Sequence, residues 1–120
     1  MSNENVINNS LLLEIIENSN FTERQIQIIY KIYNNEKRLK EISSGAYYRE
    51  VKQCRNKIKK FYYSIILLRL LNILNEEKLL VLNSIVDKLY TLENNHDKYH
   101  NNSLKSVTDI IEQVLDRLLL

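Results

Sequence analysis

His96 and His100, four residues apart with Asp97 between them, have a spacing at which one helical turn could offer ligands to a metal. No third ligand lies near them, and the surrounding Glu93 to Asn102 is rich in Asn and reads as a polar loop. No metal and no other cofactor is expected. Cys54 is the only cysteine and falls on an apolar seam, which assigns it to core packing rather than to nucleophilic or redox chemistry. A Gly-rich phosphate loop and a paired-carboxylate motif are both missing from the sequence. These residues predict a protein that is not an enzyme.

The residues with a clearer chemical bias are the cations. Between Lys37 and Lys60 stand nine basic residues against Glu41 and Glu50, a local charge of +7 in a chain whose total is +2, so the remainder carries −5. A basic footprint on an otherwise acidic molecule is the electrostatic form of something that meets phosphates. Within it, Ser44, Tyr48, Arg49, Lys52, Gln53, Arg55, Asn56, Lys59 and Lys60 follow one another along a single helical stretch, with Lys37, Arg38 and Lys40 just before it. Hydroxyls and a helix N-terminus can position phosphates. Arg, Gln and Asn have the bidentate geometry that base edges require.

Positioning these side chains needs helices. Pro is absent and Gly occurs once, at Gly45, while Leu, Ile, Lys and Glu are plentiful, so an all-α fold is expected. Apolar periodicity places helices near 6–17, 23–33, 45–73, 76–92 and 104–118. Leu12, Ile15 and Ile16 mark the first. The second begins at a capping box, Thr22 with Gln25, preceded by Phe21 as a staple on Ile26, and its inward face is expected to be Ile26, Ile29, Tyr30 and Tyr33. Ser43-Ser44-Gly45 offers a serine cap to a long third helix. There Tyr47, Val51, Cys54, Ile58, Phe61, Ile65 and Leu68 alternate spacings of four and three, a heptad seam opposite Arg49, Lys52, Asn56, Lys59 and Lys60. Tyr47 is read as core, and Tyr48 as free to stack or to contact a phosphate. Asn72 or Asn75 is the first stop signal, and Asn75 with Glu76-Glu77 opens the fourth helix. Ser103 is read as the cap of the fifth.

Two stretches carry a resemblance. Phe21-Thr22-Glu23-Arg24-Gln25 is similar to the Thr-Glu-Arg start of helix-turn-helix domains in sigma factors and response regulators. Ile42-Ser43-Ser44-Gly45-Ala46-Tyr47-Tyr48-Arg49 is similar to the Ile-Ser-x-x-x-x-x-Arg opening of their recognition helices. The resemblance covers about a third of the chain, Phe21 to Lys60, with Glu36 to Ile42 shorter than those families place before the recognition helix. It implies that Ser44, Tyr47, Tyr48, Arg49, Lys52 and Gln53 face DNA and that the helix from Glu23 supports them.

Length suggests one domain, 1–120, with 21–60 as the DNA-binding part and 61–120 as core and dimerisation part. On the last helix, Leu104, Val107, Ile111, Val114 and Leu118 form an apolar stripe read as a dimerisation face, and the apolar Leu118-Leu119-Leu120 is expected to be covered either by the domain or by a second copy of the chain. Phe61 to Leu74, interrupted by Arg69 and Asn72, is too short to cross a bilayer and reads as core. No leader precedes the first helix, so a cytoplasmic location is expected. The sequence therefore predicts a homodimeric, helix-turn-helix-like protein that binds double-stranded DNA, as a transcription regulator or a small chromosome- or plasmid-associated protein. Its rivals are a helical adaptor for an acidic protein and a binder of RNA or single strands through exposed tyrosines.

Overall fold

The computed structural model describes residues 10–34, 43–94 and 101–119. Five helices occupy them: α1 (Ser10–Glu17), α2 (Glu23–Tyr33), α3 (Ser44–Leu70), α4 (Glu76–Asn94) and α5 (Asn101–Leu118). No strand occurs among the described residues, so the fold is all-α. Where length suggests one compact unit, the contacts gather into two, Met1–Ile66 and Leu67–Leu120, with the boundary inside α3. The expected start of α1 at residue 6 lies outside the described residues, as do Lys37, Arg38, Lys40, His96, His100 and the side chain of Leu104.

Local chemistry explains most of the helix ends. Gln25 N–H donates to Thr22 Oγ1 at 3.1 Å while Thr22 N–H donates to Gln25 Oε1 at 2.9 Å, closing the capping box of α2. Ser43 Oγ accepts from Ala46 N–H at 3.3 Å, so α3 begins one residue earlier than its sequence suggests. Its far end is a Schellman turn. Asn72 takes the left-handed conformation at φ 59°, Ile73 N–H donates to Leu68 C=O at 2.9 Å, and Asn72 N–H donates to Arg69 C=O at 3.0 Å. This stops α3 at Leu70 rather than residue 73. Asn75 Oδ1 then accepts from Lys78 N–H at 2.9 Å and caps α4, whose first turn carries Glu76 and Glu77. Arg69 bridges the corner, donating to Leu74 C=O at 3.0 Å and to Glu76 at 2.9 Å. The polar loop expected over 93–102 is shorter, because α4 continues to Asn94 and α5 starts at Asn101, which places Ser103 inside the helix instead of at its cap.

In the first unit the core is Ile28, Val51 and Cys54, with Ile29, Ile32, Ala46 and Tyr47 packed against it. Leu11 and Ile16 of α1 are also buried, beside half-buried Leu12 and Ile15. The inward face of α2 differs from the expected one. Ile28 and Lys31 are the buried positions, with Ile32 half-buried, whereas Tyr30 and Tyr33 are 45% and 68% exposed. These positions lie roughly 160° around the helix from its most apolar-looking stripe. The reason is that α2 has neighbours on two sides, α1 and α3, so a second apolar arc is buried; Ile26, Ile29 and Tyr33 line an open apolar hollow with Ile58, Phe61 and Tyr62.

In the second unit Val107, Ile111 and Val114 of α5 face Ile85, Leu89 and Leu92 of α4 across an apolar cleft of about 210 Å³. The lining positions repeat with spacings of four and three on both helices. Among the described residues, no helix is long and apolar enough to cross a membrane.

Candidate nucleic-acid interface

The basic half of α3 is held by α2. Phe21 stacks on Phe61 with ring centroids 6.1 Å apart, Gln25 Oε1 accepts from Lys57 Nζ at 3.0 Å, and Ile28 packs on Val51 and Cys54. Rising numbers on α2 meet falling numbers on α3, so the two helices run in opposite directions and the apolar seam of α3 is covered along its first half. Val51 and Cys54 are buried, and Tyr47 and Ile58 half-buried, as the heptad spacing predicts; Phe61 and Leu68 at the far end are 41% and 37% exposed.

The opposite side of α3 is open. Ser44, Tyr48, Arg49, Lys52, Gln53, Arg55, Asn56, Lys59 and Lys60 are all exposed, so every described residue of the proposed DNA-binding set can be reached from solvent. Tyr48 is 72% exposed and meets Tyr47 edge-on at 6.4 Å, while Tyr47 itself packs on the core, the division of roles expected for adjacent helical positions.

Two pairings that the sequence did not disclose decide the electrostatics. Glu50 is the sole carboxylate on α3, and Arg24 of α2 grips it through two hydrogen bonds, Nε to Oε1 at 3.0 Å and Nη2 to Oε2 at 3.3 Å. The pair is partly exposed and contributes at most about 1 kcal/mol. Its larger effect is to neutralise the one acid that α3 itself carries among its cations. Lys57 is diverted inward, to Gln25 and over the Phe21 ring at 5.2 Å from its centroid. Among the described residues, no carboxylate pairs with Arg49, Lys52, Arg55, Lys59 or Lys60. A twelve-residue stretch of one helix thus presents five cations that no described carboxylate pairs with.

Burial raises the Cys54 thiol above its ordinary value, with nearby Glu50 adding to the effect and Lys57 opposing it. Burial also raises the Tyr47 phenol, reinforced by Cys54 and opposed by Arg55. Neither group is set up as a nucleophile. Among the described residues, no three His, Cys, Asp or Glu side chains come together to hold a metal. Of the proposed dimerisation stripe, Val107, Ile111, Val114 and Leu118 are half-buried, the first three lining the cleft against α4. Comparison with protein-family models, curated proteins and solved structures gives no match to this chain.

Proposed function

We propose that this chain is a homodimeric protein that binds double-stranded DNA, acting as a transcription regulator or a small chromosome- or plasmid-associated protein. The observation that carries the reading is the solvent face of α3: five cations without a carboxylate partner among the described residues, on a helix whose single acid is taken up by Arg24. Packing does not require them there. Lys and Arg on a rigid helix release condensed counterions when they meet phosphates, and this term dominates non-specific affinity. Tyr48, Arg49, Lys52 and Gln53, near the start of the helix, are the residues assigned to base edges, with Arg55, Lys59 and Lys60 on the backbone. Lys37, Arg38 and Lys40 would add phosphate contacts. The helix-turn-helix assignment belongs to this proposal and rests on the sequence resemblance, with α2 in the supporting role.

A second reading draws on Tyr62 and Tyr63, 60% and 65% exposed beside Lys59 and Lys60, an arrangement suited to stacking unpaired bases. Competition between a labelled duplex and unlabelled single strands separates the two. Duplex binding that excess single strand fails to displace supports the first reading; preferential displacement by single strands supports the second.

A further inference from the structure

The apolar hollow of the first unit stands beside the basic face of α3. Four of its lining residues are aromatic, Phe21 and Tyr33 on one side and Phe61 and Tyr62 of α3 on the other, around a space of about 290 Å³. Phe21 and Phe61 already stack at 6.1 Å, with the Lys57 ammonium 5.2 Å from the Phe21 centroid, so this part of the wall is fixed by contacts within the chain. Tyr33 and Tyr62 are exposed. Tyr62 also belongs to the basic face: Arg55, Lys59 and Tyr62 follow one another at spacings of four and three, which sets them in one row along α3. All three are exposed, and no described carboxylate pairs with the two cations.

Distance keeps an intact duplex from filling this hollow. Tyr62 lies 13 residues beyond Arg49, roughly 20 Å along the helix axis, whereas the major groove is about 12 Å wide. A helix whose first turns read base edges therefore carries Tyr62 past the groove, where paired bases do not reach it. We propose that the hollow seats an unpaired base that continues from the duplex held by α3, so that the ligand bound most tightly is duplex DNA with a short single-stranded extension. This deepens the DNA reading above and rests on it. An unpaired nucleotide meets both features of the place: its flat ring stacks among the four aromatic side chains, and its flanking phosphates meet Arg55 and Lys59. An apolar side chain of a protein partner would fill the hollow but leave those cations without a counter-charge. Stacking accepts any base, since each has a π-face, so the hollow selects for an unpaired base and not for its identity.

The test compares a blunt duplex, the same duplex with a short single-stranded overhang, and the overhang strand alone, with 2-aminopurine as the unpaired base. The overhang duplex should bind about tenfold more tightly than the blunt one, and its 2-aminopurine fluorescence should be quenched by the protein. Tyr33→Ala and Tyr62→Ala should each abolish both the preference and the quench, whereas Tyr62→Phe, which keeps the ring, should retain them. Helical circular dichroism accompanies each variant; should an alanine variant unfold, the preference and quench of the unmodified protein and of Tyr62→Phe decide. Equal affinity for blunt and overhang duplexes, or an unquenched base, overturns the proposal and leaves the DNA reading standing. Preference and quench that survive both alanine substitutions overturn it too, as does a single strand that binds as tightly as the overhang duplex. If none of the three probes binds at low salt, the DNA reading itself falls, and the proposal with it.

Discussion

Replacing Ile28 by Ala tests the packing that holds the basic face in place. Ile28 is 1% exposed and sits against Val51 and Cys54, the two buried residues of α3. Truncation removes three carbons from a site that few other buried residues surround, and comparable Ile→Ala changes cost about 2–5 kcal/mol. A value of about 3 kcal/mol, in the middle of that range, is expected. With a urea dependence of about 1.5 kcal/mol per molar, the unfolding midpoint of the first unit, followed by circular dichroism at 222 nm, should fall by about 2 M. Tyr33→Ala is the control: it lies on the face that hydrophobic pattern alone favours, yet it is 68% exposed and should cost well under about 1 kcal/mol. Equal losses from the two, or a larger loss from Tyr33→Ala, would refute the orientation of α2 described above.

Arg49→Ala and Lys52→Ala should each weaken duplex binding several-fold while leaving the urea midpoint unchanged, because both side chains are exposed and unpaired by any described carboxylate; Lys105→Ala on α5 should do little. Gel shift with a melting curve on each variant checks this, and equal effects of all three would remove α3 as the interface. Gln25→Ala loses both the capping-box bond to Thr22 and the Lys57 contact, and a destabilisation of about 1–2 kcal/mol is expected in the same urea assay. The Cys54 thiol, raised by burial, should resist alkylation at pH 8 until urea opens the first unit. Because its folded value lies above its unfolded one, its contribution to stability is full below about pH 9 and declines as pH rises through the folded value, so alkaline destabilisation should be smaller in Cys54→Ala. Rapid labelling in the native state would place the thiol outside the core.

The parts of the structure legible in the sequence are those that local chemistry fixes. Thr22 and Gln25, Asn72 and Asn75 act on backbone groups within six residues, and the boundaries they imply stand at α2 exactly and at α3 and α4 within a few residues. The seam of α3 was equally readable where α2 covers it. The face of α2 was not, because Ile26, Ile28, Ile29 and Ile32 offer two overlapping stripes and only the neighbours α1 and α3 choose between them. Arg24 with Glu50 joins residues 26 apart, a pairing that no local pattern announces. For the site, residue type and helical phase marked which cations would be exposed. Lys57 shared that composition but was withdrawn by Gln25 and Phe21, a difference that depends on tertiary contact.

Duplex affinity measured against salt tests the central claim most directly. If Arg49, Lys52, Arg55, Lys59 and Lys60 each meet a phosphate, log K should fall against log salt with a slope of about −4.5 per protomer engaged, a loss of roughly 500-fold between 50 and 200 mM salt. Replacing Lys52 and Lys59 together by Ala should flatten that slope by about 2. Absence of duplex binding at 50 mM salt, or binding indifferent to salt and to both substitutions, would contradict the account.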